Sequence, residues 1–287
     1  MQERIAHKVV EPAALASCAV FSSPHSGRAY PDDLVERSRL DLLQLRASED
    51  ALVDELFSAA PLNGAPLISA NAPRAWLDVN RGPDELDPSL IEGVRGRGLN
   101  QRVAAGLGVV PRVVSEGAAI YSGKLTLSEA QARIDEVHRP YHADLEALLM
   151  RSRDLFGAAL LFDCHSMPTE ALRAAPRVMG ATPEIVLGDR FGAAAGRNFI
   201  AETKRSFERA GFTVARNAPF AGGYITQRYG RPSHGLHAIQ IEIDRGLYLD
   251  QKRIEPNAQF EEVQGLIAQV VADLVGFSND LGGLAAE

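Results

Sequence analysis

The chain has little cysteine, a single tryptophan and no long hydrophobic run: two cysteines and one tryptophan in 287 residues. Cys18 and Cys164 each lie inside an apolar stretch, and two thiols so placed in a large domain read as buried side chains in a reducing compartment. No segment approaches the roughly 20 apolar residues needed to cross a bilayer. Met1–Pro12 mixes charges with short apolar pieces and lacks the secretory pattern, so the expectation is a soluble cytoplasmic protein without a membrane partner. The 30 basic and 37 acidic residues are interspersed, for a net charge of −7. Without a lysine-arginine cluster to neutralise a phosphate backbone, nucleic acid is not an expected partner. The sequence also lacks a Gly-x-Ser-x-Gly elbow, and Ala221-Gly222-Gly223-Tyr224 has neither dinucleotide-motif nor P-loop spacing, so neither a serine hydrolase nor NAD or ATP binding is indicated.

What is present is 46% hydrophobic sequence, enough for a substantial core. Short apolar runs alternate with longer amphipathic stretches, the pattern of an α/β fold with helices on both faces of a buried sheet. The reading is a single domain over 1–287, with 1–12 and 278–287 peripheral. Strands are predicted at Cys18–Ser22, Pro66–Ser69, Ala75–Val79, Ala158–Cys164, Glu184–Leu187, Thr213–Arg216 and His237–Ile243. Helices are predicted at Asp32–Arg46, Glu49–Ala60, Ser128–Asp154, Ala193–Ala210 and Asn257–Val275. The third helix has a cap at Ser128 with Gln131 completing a capping box, or at Thr126 instead. The last should end before Gly276. Glycine and proline recur without periodicity between 82 and 124, which suggests a surface excursion able to wall a pocket.

Polar residues at the ends of apolar runs are the candidates for chemistry. Ligands in open α/β sheets collect beyond the carboxyl ends of strands, where His165 would project; taken alone, it reads first as a structural histidine hydrogen-bonded at a strand end. His25 follows another strand in the same way, and two such histidines can converge in a catalytic zinc site. In His237–Asp244 the alternation puts Gln240, Glu242 and Asp244 on one face, either a solvated edge or a cavity wall where a carboxylate serves as base. Arg81 has the planar fork that suits a substrate carboxylate, or it pairs with Asp84 or Glu85. His138 and His142 are four apart, but Pro140 intervenes and no Glu follows His138, so packing or hydrogen bonding is the better reading. Cys164 and His165 are strand neighbours facing opposite ways, which rules out a ready dyad.

Ser23-Pro24-His25-Ser26-Gly27-Arg28, Asp78-Val79-Asn80-Arg81, Asp163-Cys164-His165-Ser166-Met167-Pro168 and Pro219–Thr226 through Gln240-Ile241-Glu242-Ile243 together resemble the N-formylglutamate amidohydrolase family. That family is related to the zinc carboxypeptidases and aspartoacylases. The resemblance implies a central mixed, mostly parallel sheet flanked by helices, zinc-carboxypeptidase-like. It implies His25 and His165 as zinc ligands, Asn80 and Arg81 as the grip on a substrate carboxylate, and Glu242 as the catalytic base. In the carboxypeptidases a glutamate three residues after the first histidine completes the metal site; here Arg28 stands there. Asp50 is the first candidate for the third ligand, with Asp32, Asp33 and Asp163 as alternatives, and Asp78 is expected to orient His25 from behind.

The implied activity is zinc-dependent hydrolysis of N-formyl-L-glutamate, or a similar small N-acyl amino acid, to formate and glutamate, in histidine degradation. Arg228 is the candidate for a second cationic contact, to the other carboxylate of glutamate. The alternatives are a carboxypeptidase-like hydrolase of another N-acyl amino acid or small peptide, and a non-catalytic metal- or ligand-binding protein. The oligomeric state is not legible from these residues.

Overall fold

The computed structural model describes residues 6–95, 100–114 and 117–284, the side chains of 174 and 279–284 excepted. In chain order the principal elements are β1 (His7–Val10), β2 (Ala19–Ser23), α1 (Asp32–Arg37), α2 (Leu42–Arg46), α3 (Val53–Leu56), β3 (Leu67–Ala70), α4 (Gln101–Ala104), α5 (Leu127–Arg133) and α6 (Arg139–Phe156). They continue with β4 (Ala159–Met167), β5 (Ile185–Gly188), α7 (Arg197–Arg209), β6 (Val214–Arg216), α8 (Tyr224–Tyr229), β7 (Leu236–Asp244) and α9 (Phe260–Leu284). Seven strands form one sheet in the order β1-β3-β2-β4-β7-β5-β6. β2, β4 and β7 run parallel, β5 is antiparallel to β7 and parallel to β6. This is the mixed, mostly parallel sheet with helices that the alternation of apolar runs and amphipathic stretches requires.

By contacts the chain divides into two compact units, one of residues 1–8, 24–51 and 69–144, the other of 9–23, 52–68 and 145–287. The second unit holds β2 and β4 to β7. Phe21, Phe57 and Phe162 are fully buried there, with the rings of Phe21 and Phe162 stacked at 4.9 Å. Each such burial contributes about 1.5–3 kcal/mol. β4 is buried along its whole length and extends three residues beyond the expected end, because β7 pairs with it from Ala159↔Leu236 to Met167↔Asp244. His165 therefore lies within the strand and not past it. The closing helix also exceeds expectation, since α9 passes through Gly276 to Leu284. Leu274 and Val275 are buried, and the Ser278 hydroxyl donates to the Leu274 carbonyl while its own carbonyl accepts from the Cys18 thiol. Those contacts outweigh the roughly 1 kcal/mol cost of one helical glycine.

In the first unit the expected helix Asp32–Arg46 is two short helices, since Asp41 caps α2 in a capping box with Gln44. The expected Glu49–Ala60 helix is reduced to α3 and lies in the second unit, entered through Leu52 at φ 64, in the left-handed region. Thr126, not Ser128, caps α5, with Glu129 completing the box. The long helix expected from Ser128 to Asp154 opens into a π-turn at Ile134–His138 before α6. Pro140 has no N–H to give the preceding turn, and a local change of winding accommodates it. Ala75–Val79 is buried but is not a strand; Trp76 and Leu77 donate to the Pro73 carbonyl in a turn, and Asp78 N–H donates to Val109. A run of buried apolar residues cannot by itself distinguish the two.

Candidate metal centre and active site

β2 delivers His25 two residues past its end, and the chain must then pass very close to a neighbour. A Cβ on Gly27 would stand 2.0 Å from the Ala72 carbonyl oxygen, so only glycine fits. The His25 carbonyl accepts from Asp50 N–H at 3.0 Å, which holds the two residues together. Both side chains are buried, with His25 Nδ1 3.2 Å from Asp50 Oδ2. On its far side Nε2 meets Asp78 Oδ1 at 2.7 Å. Asp78 also accepts from Asn80 N–H (2.8 Å) and Arg74 Nε (3.0 Å). Burial alone would raise this carboxyl, but the charges of His25, Arg74 and Arg81 outweigh it and hold Asp78 well below the usual carboxylate range.

The Asp78–Arg81 segment is pinned from outside as well. His138 Nε2 bonds the Arg81 carbonyl at 2.9 Å and His142 Nε2 the Val79 carbonyl at 2.8 Å, with the two rings 4.2 Å apart. These histidines hold backbone, as their sequence context suggested. Arg81 is buried and pairs with neither Asp84 nor Glu85. Its Nε donates to the Leu107 carbonyl (3.0 Å) and its Nη1 to that of Asn80 (2.8 Å), leaving Nη2 as the guanidinium nitrogen for a further acceptor. Arg28 is exposed, as are Asp32 and Asp33 in the first turn of α1, where Asp33 faces Arg133 at 3.5 Å. The 82–124 excursion does line a pocket, with Asp84, Glu85, Asp87 and Asn100 meeting Gln131 and Arg139; none of the candidate site residues lines it.

In the second unit a block of four polar side chains stands on one face of β4 and β7, from mid-strand toward the carboxyl end, with Asp163 beside Gln240 and His165 beside Glu242 in register. All four are buried. Gln240 Oε1 accepts from Gly223 N–H at 2.7 Å, which commits its amide nitrogen to Glu242 Oε1, also at 2.7 Å. Nothing in the spacing of Gln240 revealed that bridge, because its partner glycine is 17 residues away. Arg245, just past β7, is buried and donates to the Ser166 hydroxyl (3.0 Å) and carbonyl (3.3 Å). Sequence reasoning missed this arginine. Arg228 is partly exposed and hydrogen-bonds Tyr224 Oη (3.2 Å) and Glu146 (3.4 Å). Cys18 and Cys164 are free buried thiols; burial pushes Cys18 up to about 11 and Cys164 well above its ordinary value, so both stay protonated and inert.

His25, Asp50 and His165 each present one ligand atom, all within 4.8 Å of one another, and all three residues are buried. A set of two imidazoles and one carboxylate suits zinc. Asp32, Asp33 and Asp163 are outside this group. Fully buried Asp163 has no hydrogen-bond partner on either oxygen, a condition that a neighbouring positive centre would relieve.

Comparison with known proteins agrees with the sheet. The profile of the N-formylglutamate amidohydrolase family matches residues 17–249. The N-formylglutamate deformylase of Pseudomonas putida is 31% identical over 241 residues, 81% of this chain and 82% of that protein. Its counterpart in Pseudomonas aeruginosa is 29% identical over the same shares. Among solved structures, the N-formylglutamate amidohydrolase of Ralstonia eutropha JMP134 has a TM-score of 0.89 at 32% identity, covering 96% of this chain and 99% of that one. The protein is thus a hydrolase that acts on an amide. It belongs to the N-formylglutamate amidohydrolase family.

Proposed function

We propose that this chain is a zinc-dependent, cytoplasmic amidohydrolase that converts N-formyl-L-glutamate and water to formate and glutamate. The observation that carries the reading is the buried His25, Asp50 and His165 group, with Asp78 bonded to the far nitrogen of His25. Bound there, zinc would supply a Lewis acid and bring the pKa of a water toward about 7. Glu242 accepts the proton of the water that adds to the formyl carbon and returns it to the amine nitrogen as the C–N bond breaks. Gln240 holds one Glu242 oxygen by its 2.7 Å bond. Asn80 and Arg81 bind a carboxylate of the substrate, Arg81 through Nη2, and Arg228 offers a second cationic contact for glutamate's other carboxylate. The family relationship supports the formyl and glutamyl parts of the substrate; the residues alone would serve other N-acyl amino acids.

The test is glutamate release from N-formyl-L-glutamate by zinc-loaded protein, with chelated protein and Glu242→Gln alongside. Turnover should vanish on chelation, and Glu242→Gln should retain zinc while losing about 10²–10⁴-fold in kcat. Turnover that survives chelation would remove the metal from the reaction, and near-normal turnover in Glu242→Gln would remove Glu242 as base.

A further inference from the structure

Asp163 is fully buried, yet neither of its carboxylate oxygens has a hydrogen-bond partner. Acids that hold this fold are tied to donors: Asp189, equally buried, is bonded by the Arg216 guanidinium and the Asn217 amide. Asp163 instead has Nε2 of His165 3.1 Å from its Oδ1, close enough for an ion pair but out of line for a hydrogen bond. The two side chains share a face of β4 because they are two residues apart on a strand. His25 shows the same layout with better alignment, its Nε2 on Asp78 at 2.7 Å and its Nδ1 toward Asp50 at 3.2 Å.

We propose that Asp163 is the positioning residue of His165: it accepts the Nε2–H, selects the tautomer that carries no proton on Nδ1, and strengthens that nitrogen as a donor to metal. This inference rests on the zinc reading of His25, Asp50 and His165. A buried carboxylate left without donors is unfavourable in the metal-free protein, and it gains a partner when the imidazole it faces carries part of a metal's charge. Asp163 and Asp78 then perform one task on two histidines that are 140 positions apart in the chain.

The experiment measures zinc affinity by chelator competition in the full-length wild type, Asp163→Asn and His165→Ala, with urea unfolding of each in the metal-free state. Asp163→Asn should bind zinc about 10–100-fold more weakly. Its metal-free stability should stay close to that of wild type, because Asp163 has no aligned hydrogen bond there to lose. Unchanged affinity in Asp163→Asn beside a large loss in His165→Ala would overturn the role of Asp163 and leave the metal site standing. Wild-type affinity in His165→Ala would instead remove the zinc reading itself. Should Asp163→Asn fail to fold, ¹⁵N NMR of the zinc-loaded wild type decides: zinc on His165 Nδ1 with a proton on Nε2 is the expected signature, and zinc on Nε2 would overturn the proposal.

Discussion

Asp78→Asn changes one atom type at the centre of three hydrogen bonds, and the structure sets what each should cost. Asp78 Oδ1 receives His25 Nε2 and Asn80 N–H, and its Oδ2 receives Arg74 Nε. An asparagine keeps the first two if its carbonyl oxygen takes the Oδ1 place, which turns its NH₂ toward another donor, Arg74. Bonds to charged groups contribute about 1.5–3 kcal/mol, and Arg74 is partly exposed, so the metal-free protein should lose about 2 kcal/mol of stability. Asp78→Ala, which strands all three donors, should lose about 3–5 kcal/mol. The second consequence is on metal: with a neutral group behind His25, zinc affinity should fall about 10–100-fold, or about 1.4–2.7 kcal/mol. Arg74→Met is the control, since it breaks the same ion pair without touching His25; its stability loss should be about 1 kcal/mol with zinc affinity unchanged. Urea unfolding of metal-free protein reads the first effect and chelator competition the second. If Asp78→Asn matches Arg74→Met in both assays, Asp78 only supports the loop and the reasoning about His25 is wrong.

Arg81→Ala removes the Nη2 donor, and the loss of one charge-assisted bond predicts KM for acidic substrates raised about 10–150-fold with kcat less affected; unchanged kinetics on them would contradict carboxylate recognition. Gln240→Leu takes away the donor on Glu242 and leaves Gly223 N–H unpaired, so kcat should fall about 10-fold or more while zinc affinity stays constant; a KM effect alone would assign Gln240 to loop support. Burial lowers His237 to about 4, while its Nδ1 accepts from Gly196 N–H at 3.2 Å. Since the unfolded imidazole takes a proton near 6.5, its contribution to stability is complete above that pH and is lost as pH falls toward 4. His237→Asn keeps the acceptor without that titration, so the fall in urea midpoint between pH 7 and pH 5 should be smaller than in wild type; an equal fall would place the pH dependence elsewhere.

The sequence alone determined the class of fold and singled out the positions proposed for chemistry. Apolar runs of strand length alternating with amphipathic stretches leave few ways to bury both, and β2, β3, β4, β5, β6 and β7 all lie within a few residues of where composition put them. His25, Asp78 to Arg81, His165 and Glu242 were legible because each is polar at the end of an apolar run, where burial demands a reason, and because their order along the chain matches one family. Short-range context misplaced what depends on distant partners. Ala75–Val79 reads as a strand, yet its backbone bonds go to Pro73 and Val109. The last helix reads as ending at Gly276, yet Cys18, far away in the chain, helps to fix Ser278 beyond it.

Only the tertiary structure decided which acid lies within reach of the two histidines. Asp32, Asp33, Asp50 and Asp163 are equivalent as carboxylates. What separates them is that α1 leaves the first two exposed, the His25 carbonyl holds the Asp50 backbone, and β4 sets Asp163 beside His165. The same holds for Gln240, which becomes the support of Glu242 only when Gly223 fixes its amide. Residue type and local period determine what a side chain can do and which face it takes. Its partner is fixed by long-range backbone pairing and burial, which no local window of sequence contains.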